Sequence, residues 1–416
     1  MSDNPRPGYK QTEIGEIPEE WKVDIAKNIF PKVTDGTHDT PKPSSEGYPL
    51  ITSKNLKNGS INFDKCYLIK ESDYNEVNKR SKVEHCDVLF GMIGTIGNPV
   101  FIKKEYKNFA IKNIGLFKTG GDSSLGKWLY YYLSSAIIKR YIDRKLEGTS
   151  QKFIPLGFLR QLLILLPPRK ERNKIVSILS AVEEAIQNAD GIIAKTEELK
   201  KGLMQEVLTR GIGHTRFKKT EIGEIPEEWT RKKLSEVGKF INGYAFKPSD
   251  WKKSGIPIVR IQNLNDRQAK FNYFDGNIEN KYILHDGDLL LSWSASLGVY
   301  LWKRGKAALN QHIFKVLPEE NVDKLFLFYM LHKTIKTLKR HVHGSTMRHF
   351  KKRELDATAI ALPPFPEQQK IADILFMVDE KINSEKNTKE KLKELKKGLM
   401  QVLLTGEVRV KIGDDA

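Results

Sequence analysis

One decapeptide occurs twice in this chain, and the repeat limits the fold more than any other feature of the sequence. The letters TEIGEIPEEW stand at Thr12–Trp21 and again at Thr220–Trp229. The heptapeptide LKKGLMQ also recurs unchanged, at 199–205 and at 395–401. Pieces that return in the same order after about 200 residues indicate two copies of one structural unit, arranged as a pseudo-two-fold internal repeat.

The sequence between the repeated pieces has changed in both length and letters. YPLITSKNL at 48–56 aligns with IPIVRIQNL at 256–264 at a shift of 208 residues, whereas LPP at 166–168 aligns with LPP at 362–364 at a shift of 196. A very recent duplication would have left all parts equally alike. The flanking pieces of each unit are therefore under a constraint that keeps them alike, and the middle of each unit is not.

A helical pattern follows each LPP, with apolar residues at alternating three- and four-residue steps, as in a coiled-coil seam. The first seam comprises Ile175, Leu179, Val182, Ile186, Ala189, Ile193, Thr196, Leu199, Leu203 and Val207. The second comprises Ile371, Leu375, Val378, Ile382, Leu392, Leu395, Leu399 and Val402, with the polar residues Glu385 and Lys389 interrupting its middle. Because proline can start a helix but not continue one, the helices should begin just after Pro168 and Pro364. The two stripes bury each other most simply as an antiparallel pair, although each could instead pack on its own globular domain.

Both globular stretches indicate a mixture of short strands and helices. Alternating and β-rich runs predict strands within 86–102 and 287–302, and helical periodicity follows at 127–142 and 324–340. The predicted fold class is therefore α+β, with two globular domains alternating with two long helices that pair as an antiparallel coiled coil. The predicted boundaries are 1–165 for the first domain, 166–211 for the first helical region, 212–361 for the second domain and 362–416 for the second helical region.

The decapeptide places Pro18 before Glu19 and Glu20, which predicts the first turn of a short helix because carboxylates there offset the backbone dipole. Trp21 and Trp229 close the two copies and supply large apolar anchors. Their role is either to fix the start of each domain internally or to present a docking surface.

The charge balance favours a polyanionic partner. The chain has 70 Lys and Arg residues against 52 Asp and Glu, a formal net charge of +18, and Lys324–Arg353 contains no acidic residue. Nucleic acid is the first expectation and an anionic membrane the second, with solubility as the plain alternative. The sequence shows neither the apolar core of a signal peptide nor a membrane-length apolar run, so we expect a cytoplasmic protein without membrane contact. Two cysteines, Cys66 and Cys86, are too few for a disulfide scaffold.

The sequence matches known catalytic and metal-binding motifs poorly. Gly121, Gly126 and Lys127 have phosphate-loop spacing, but Trp128 stands where a magnesium-binding Ser or Thr is required. The histidines of HVHGSTMRH (341–349) have no neighbouring Cys or carboxylate to complete a metal shell, so they are expected to face phosphate or solvent. We predict no catalytic residue, no metal site and no cofactor bound by this chain.

The ordered set of motifs resembles the specificity subunit (HsdS) of type I restriction-modification systems. The resemblance rests on the LPP-led helices, the EIGEIPEEW boxes, GTSQKFI at 148–154 with its counterpart GSTMRHF at 344–350, and the KGLMQ helix ends, and it covers essentially the whole chain. It implies that two target-recognition domains each read one half of a bipartite, asymmetric site in double-stranded DNA, while the helices set the gap. Met347 stands where the first half has Gln151, so individual base contacts do not carry over.

The resemblance also implies partners. Two methyltransferase subunits bring S-adenosylmethionine and adenine N6 chemistry, and restriction-translocase subunits bring Mg and ATP, while the specificity subunit has no active site. An identical surface presented twice suits two copies of one partner. The docking candidates are Trp21, Trp229, Leu203, Met204, Leu399 and Met400. The alternatives are a stand-alone bivalent sequence-specific DNA-binding protein and an enzyme whose site is unrecognised.

Polar loops are the expected DNA contacts, because base edges require paired donors and acceptors and phosphates require cations or amides. The candidates in the first domain are Thr37, His38, Ser53, Lys54, Asn55, Lys79, Arg80, Lys82, Gln151 and Lys152. Those in the second are Tyr244, Arg260, Gln262, Asn263, Trp293, Asn310, Gln311, Arg348 and His349. Positions shared between the repeats, such as Asn55 and Asn263, are expected to contact the DNA backbone, and mismatched ones, such as Lys54 and Gln262, to read bases.

Overall fold

The computed structural model describes residues 5–64, 66–94, 96–146, 153–294, 296–341 and 352–412. The chain divides into two compact units. Unit 1 contains residues 1–189 and 388–416, and unit 2 contains residues 190–387. Each unit combines one globular domain with parts of both long helices, so a helix and the domain next to it share one core.

Unit 1 contains antiparallel, mixed and two-stranded sheets. Its strands are β1 (Tyr9–Thr12), β2 (Gly15–Pro18), β3 (Lys22–Ile25), β4 (Lys32–Asp35), β5 (Tyr48–Thr52), β6 (Leu56–Lys57), β7 (Ser60–Ile61), β8 (Tyr67–Ile69), β9 (Val88–Gly91), β10 (Gly97–Phe101), β11 (Ala110–Lys112), β12 (Ile114–Lys118) and β13 (Leu163–Leu166). Its helices are α1 (Ala26–Ile29), α2 (Glu71–Ser81), α3 (Ser123–Ser134), α4 (Ala136–Lys145) and α5 (Leu156–Gln161), and the long helix α6 (Arg169–Val207) begins in this unit. The main sheet has the order β10-β9-β12-β4, and a second sheet has the order β11-β5-β8 with β5 and β11 parallel.

Unit 2 repeats this plan. Its strands are β14 (Phe217–Thr220), β15 (Gly223–Pro226), β16 (Thr230–Lys233), β17 (Gly238–Asn242), β18 (Ile256–Val259), β19 (Asn272–Phe274), β20 (Ile283–Leu284), β21 (Leu289–Ser292), β22 (Gly298–Leu301), β23 (Ala307–Leu309), β24 (Ile313–Pro318) and β25 (Ala359–Leu362). Its helices are α7 (Leu234–Val237), α8 (Ile261–Asn265), α9 (Lys324–His341) and α10 (Lys352–Ala357), and the second long helix α11 (Phe365–Leu403) begins here. The sheets β17-β24-β21-β22 and β19-β18-β23-β20 correspond to the two larger sheets of unit 1. The fold therefore mixes α-helices with short β-strands, as predicted for both globular stretches.

The long helices begin where the proline pairs predict. Helix α6 starts at Arg169, directly after Pro168, and α11 starts at Phe365, directly after Pro364. The predicted helix at 127–142 is instead divided, because Ser135 has an extended backbone and caps the start of α4 with its side chain.

Contacts between the long helices run antiparallel inside each unit. In unit 2, Lys386 reaches Glu197 at 2.7 Å and Lys200 reaches Asp379 at 2.6 Å, so the partner number falls as the residue number rises. In unit 1, Lys396 lies 3.1 Å from Glu183.

The predicted seam is wrong at the first leucine of each LKKGLMQ heptapeptide. Leu199 is 55% exposed and Leu395 is 50% exposed, although both were placed in the seam. The adjacent Lys200 and Lys396 turn towards the neighbouring helix and are mostly buried. A lysine can occupy this position because its charged end meets a carboxylate while its carbon stem packs.

The decapeptide is a β-hairpin, and the predicted helical turn at Pro18 is wrong. Strand β1 pairs with β2, and β14 pairs with β15 in the second copy. The hydroxyl of Thr12 donates to the carbonyl of Gly15 at 2.6 Å, and that of Thr220 donates to the carbonyl of Gly223 at 2.7 Å. Both glycines have positive φ, which lets the chain turn tightly between the strands.

Each unit has a main hydrophobic core that joins three pieces of chain. In unit 1, Trp21 packs in one cluster with Ile175 and Leu179 of α6 and with Leu403 near the end of α11. In unit 2, Trp229 packs with Ile371 and Leu375 of α11 and with Val207 at the end of α6. Among the described residues, no helix combines the length and apolarity needed to cross a bilayer.

Candidate nucleic-acid interface

A hydrogen bond ties each decapeptide to the long helix that follows its own domain. The indole N–H of Trp21 donates to Oε2 of Glu171 at 3.0 Å, and that of Trp229 donates to Oε2 of Glu367 at 2.9 Å. Both glutamates stand three residues after their LPP. The link explains why the two motifs recur together.

The residues that complete these links differ between the units. Arg409 donates to both oxygens of Glu171, at 2.7 and 3.0 Å, and these hydrogen bonds raise the pKa of the Arg409 guanidinium above its usual value. In unit 2, Nε2 of His214 lies 2.9 Å from Oε1 of Glu367.

The docking candidates are more buried than expected. Trp21 and Trp229 are fully buried, so their side chains serve as internal anchors, and any docking by the hairpins falls to their exposed residues. The other four candidates are partly buried and pack against the cores: Leu203 and Met204 in unit 2, and Leu399 and Met400 in unit 1.

A cluster of tyrosine, carboxylate and lysine joins the domain to both long helices in each unit. In unit 1, Tyr131 of α3 donates to Glu183 at 2.8 Å, and Glu183 also pairs with Lys396. In unit 2, Tyr329 of α9 donates to Asp379 at 2.8 Å, and Asp379 pairs with Lys200. Burial, reinforced by the carboxylate, raises the pKa of both phenols, so each phenol stays a donor.

The same crossing of two loops lies at the edge of both domains. The N–H of Gly36 donates to the carbonyl of Ile114 at 2.9 Å, and the N–H of Gly243 donates to the carbonyl of Ile313 at 3.1 Å. A β-carbon on Gly36 would lie 2.2 Å from the carbonyl oxygen of Ile111, and one on Gly243 equally close to that of Asn310. Only glycine allows this close approach, which fixes the side chains that follow it.

The crossing in unit 1 gathers several predicted DNA contacts. His38 is exposed, and its ring nitrogens lie 3.0 Å from Oδ2 of Asp35 and 2.9 Å from Oδ1 of Asn113. The Asp35 carboxylate also accepts from Nη2 of Arg80. The buried hydroxyl of Ser53 donates to the carbonyl of Asn113 at 3.1 Å. Thr37, His38 and Arg80 therefore belong to one polar face, whereas Ser53 is 4% exposed and bonds within the fold.

The remaining described candidates of unit 1 lie in the same loops and helix. Lys54 is exposed in the turn that contains Ser53. Lys79 stands beside Arg80 in the last turn of α2 and pairs with Glu76 at 2.5 Å, and Lys82 lies 3.6 Å from Glu84.

In unit 2 the corresponding face is built around Arg260. Its Nη1 donates to Oδ1 of Asn272 at 2.8 Å, its Nη2 donates to Oε1 of Gln262 at 2.7 Å, and its guanidinium lies 5.0 Å from the ring centre of Trp251. The N–H of Asn310 donates to the carbonyl of Val259 at 3.2 Å. This hydrogen bond joins the segment that carries Arg260 to the loop crossing of unit 2.

Aromatic residues extend the face of unit 2. Tyr244, which is 39% exposed, has its ring centre 4.8 Å from that of Phe246 and 5.6 Å from that of Tyr282. The N–H of Gln311 donates to the carbonyl of Tyr244 at 2.9 Å, and Trp293 packs beside His312 with ring centres 5.6 Å apart. The structure thus brings Tyr244, Asn310 and Gln311 together, with Trp293 reaching the same loop through His312.

The two aligned asparagines are internal. Asn55 and Asn263 are 6% and 3% exposed. Oδ1 of each accepts a backbone N–H three residues earlier, and each amide nitrogen donates to a carbonyl of the following loop. These amides shape the loops, which leaves DNA contact to their exposed neighbours.

Four further candidates, Gln151, Lys152, Arg348 and His349, lie outside the described residues. The glycines with phosphate-loop spacing lead into α3, where a β-carbon on Gly126 would lie 2.3 Å from the Cys86 carbonyl oxygen, so this glycine serves packing. No cluster of His, Cys, Asp or Glu suited to a metal ion occurs within the described part of the chain.

Sequence reasoning missed Asp35, Asn113, Trp251 and Asn272, which hold the exposed polar residues in place. The signal that was available is the Asp35–Gly36 pair in unit 1 and the Asn242–Gly243 pair in unit 2, because Asp-Gly and Asn-Gly are typical of tight turns and one such pair stands at each loop crossing.

Comparison with known proteins decides the family. The sequence model of the family described as "Type I restriction modification DNA specificity domain" matches residues 18–198 and 226–394. This chain belongs to that family. Its function is accordingly DNA sequence specificity in a type I restriction-modification system.

Individual relatives match over nearly the whole chain. The putative type I restriction enzyme MjaX specificity subunit of Methanocaldococcus jannaschii is 29% identical, with 97% of each chain covered. The MjaVIII specificity subunit of the same organism is 27% identical, with 97% of this chain and 96% of the relative covered. A crystal structure of a type I restriction-modification S subunit from M. genitalium has a TM-score of 0.58 at 15% identity, covering 92% of this chain and 96% of that chain, which shows a shared fold.

Proposed function

We propose that each domain of this specificity subunit reads one half of a split, asymmetric site in double-stranded DNA. The observation that carries the proposal is a contrast between internal contacts that are the same in both units and loop residues that differ between them. The hairpins, the tryptophan–glutamate links and the tyrosine–carboxylate–lysine clusters recur in both units. The residues that follow the glycines of the matched loop crossings differ, with Thr37 in unit 1 and Tyr244 in unit 2. Two different half-sites require this combination.

The two long helices, in this proposal, pair along their length as an antiparallel coiled coil and set the gap between the half-sites. The antiparallel contacts inside each unit support this arrangement. Each helix has 39 residues, which at 1.5 Å per residue is about 60 Å. The attachment of a domain at a fixed position along the pair would therefore fix the spacing that the protein accepts.

Two methyltransferase subunits are the proposed partners, one for each repeat. The exposed Leu199 and Leu395 support docking at the two LKKGLMQ segments, beside the partly buried Met204 and Met400. An apolar side chain kept exposed at the same position of both repeats suits two copies of one partner. The methyltransferase subunits would supply S-adenosylmethionine and adenine N6 chemistry, and restriction subunits would supply Mg- and ATP-dependent steps.

The test is co-expression of this chain with a type I methyltransferase subunit from the same genome. We expect a complex of two methyltransferase subunits and one copy of this chain by light scattering, and adenine methylation at a split asymmetric site. A chain that ignores the methyltransferase and binds its site tightly alone would instead support a stand-alone bivalent DNA-binding protein. Adenine methylation by the purified chain alone would overturn the assignment of chemistry to the partner.

A further inference from the structure

Each unit holds one arginine in its polar face against fixed hydrogen-bond acceptors. In unit 1, Arg80 donates through Nη2 to the Asp35 carboxylate and through Nε to Oγ1 of Thr34 at 3.4 Å. In unit 2, Arg260 donates through its two terminal nitrogens to Asn272 and Gln262 and stacks on Trp251. A guanidinium has five N–H groups, so each arginine keeps three donors for a ligand.

Arg80 is exposed and Arg260 is partly exposed, whereas the carboxylate that holds Arg80 is buried. The Arg80 side chain is 54% exposed, whereas that of Asp35 is 2% exposed. Strand β4 ends at Asp35, and the carboxylate is further fixed by His38. Arg80 therefore stands at the surface with its orientation set from beneath, which lowers the entropy lost when it binds a ligand.

The charge balance at Arg80 favours a base over a phosphate as that ligand. A phosphate contact depends on net positive charge, and the buried Asp35 carboxylate offsets the charge of Arg80. Directional N–H donors remain after this pairing. In duplex DNA, the group that best matches a fixed arginine is guanine, which presents its O6 and N7 acceptors side by side in the major groove.

We propose that Arg80 and Arg260 each read one guanine, and that Asp35 and Asn272 are positioning residues that hold the two guanidinium groups for this purpose. The inference rests on the proposed function, because it assigns one base to each half of the split site. It does not follow from the family membership, since the elements that carry these residues differ between the two units. Arg80 stands in the last turn of α2, whereas Arg260 directly follows β18. At the loop crossing of unit 2, the exposed Asn242 precedes Gly243, where Asp35 precedes Gly36 in unit 1.

The experiment uses the complete methyltransferase complex and a pool of duplexes randomised at both half-sites. Methylated molecules are sequenced for the wild type and for Arg80→Lys, Asp35→Asn, Arg260→Lys and Asn272→Ala. We expect each wild-type half-site to contain a required G·C pair. Arg80→Lys should reduce the preference for that pair at least about tenfold in one half-site only, and Arg260→Lys should do so in the other.

The positioning residues should act at the same base pair as the arginine they hold. Asp35→Asn keeps the shape of the side chain but removes the charge, so it should weaken preference at the Arg80 base pair and nowhere else. The matched control is Lys57→Met, which removes an exposed lysine that follows the neighbouring turn and is not among the predicted DNA contacts. It should at most weaken binding to all sequences alike, without changing the required letters.

Three results would overturn the inference. The first is a wild-type half-site without a G·C pair. The second is an Arg80→Lys complex that keeps the full preference for that G·C pair. The third is an Arg80→Lys complex that loses affinity equally for all sequences and shows a flatter salt dependence. A wild-type complex that selects no split sequence would instead overturn the proposed function. Arg80 and Arg260 lie in separate units, and neither side chain is buried. The tests on the two arginines therefore remain decisive even if the Asp35→Asn variant folds poorly.

Discussion

The indole N–H of Trp21 donates to the carboxylate of Glu171 at 3.0 Å, across 150 residues of chain. The same bond joins Trp229 to Glu367 at 2.9 Å in the other unit. Each bond connects the start of a domain to the first turn of the helix that leaves it. The two motifs that the sequence repeats, EIPEEW and LPP, are therefore the two ends of one internal contact.

Removing the indole donor should destabilise the unit that contains it. In Trp21→Phe, the buried Glu171 carboxylate keeps Arg409 but loses the indole donor, at a cost of about 2 kcal/mol. Trp229→Phe should cost a similar amount. Urea denaturation measures the change, with Trp251→Phe as control because Trp251 is 40% exposed and should change stability by less than about 0.5 kcal/mol. Equal midpoints for all three variants would contradict this role.

The tyrosine–carboxylate–lysine clusters should hold the two long helices in register. Lys200→Met and Lys396→Met each leave a half-buried carboxylate without its cation, at a cost of about 1 to 2 kcal/mol. In the proposed function the double variant should also methylate sites whose gap differs by one base pair, while both half-site sequences stay the same. Lys201→Met with Lys397→Met is the matched control, because these adjacent lysines are exposed. If the Lys200→Met, Lys396→Met double variant kept the wild-type gap requirement, the clusters would have no role in setting the gap between the half-sites.

Two helical glycines test the docking proposal. Gly202 and Gly398 lie within the LKKGLMQ segments, and a β-carbon on either would meet no atom within 4 Å. Alanine should therefore stabilise each helix by about 0.5 to 1 kcal/mol. If the methyltransferase docks on this face, the same variants should bind it more weakly, as should Leu199→Asp. Gly191→Ala offers the control, since its β-carbon site is equally open and lies outside the repeated segment. Stabilised variants with unchanged methyltransferase affinity would place docking elsewhere.

The amine of Lys333 makes stability depend on pH. Burial lowers its pKa from 10.5 to about 8, while the amine donates to the carbonyl of Leu208 at 2.6 Å. Below pH 8 the amine is charged in both states, and the folded protein carries the full desolvation cost. From pH 8 towards 10.5 the folded state binds fewer protons than the unfolded state, so stability rises with pH.

The size of this pH effect should be about 2 kcal/mol between pH 8 and 9.5. The measurement is the difference in unfolding free energy between the wild type and Lys333→Met at each pH. The comparison variant is Lys336→Met, which removes an exposed lysine three residues further along α9. A difference that stays constant from pH 7 to 9.5 would refute the assignment.

Much of the frame could be predicted from letters alone. Proline fixes φ and removes a backbone donor, so Pro168 and Pro364 marked the starts of both long helices. Hydrophobic periodicity predicted the helices that follow, and β-rich runs predicted strands within 86–102 and 287–302, where the structure has β9, β10, β21 and β22. These features depend on residues that are close in sequence, and they could therefore be predicted from the sequence alone.

The misses share a physical cause. Pro18 precedes two glutamates, as at many helix starts, but cross-strand pairing with Tyr9 made the segment a strand. Leu199 fits the heptad, yet Lys200 takes the inner position because Asp379 and Tyr329 meet it there. Strand partners and buried ion pairs come from distant parts of the chain, so local preference could not reveal them.

The candidate interface divides in the same way. The sequence by itself determined that this chain is a duplicated unit with a constant frame and two different polar faces, because repeats and charge are properties of letters. Only the tertiary structure decided which polar residues are exposed. It buried Asn55 and Asn263 in their own loops and placed the Asp35 carboxylate beneath Arg80. The reason is that a polar side chain is free for a ligand only after the folded backbone has taken the hydrogen bonds it needs.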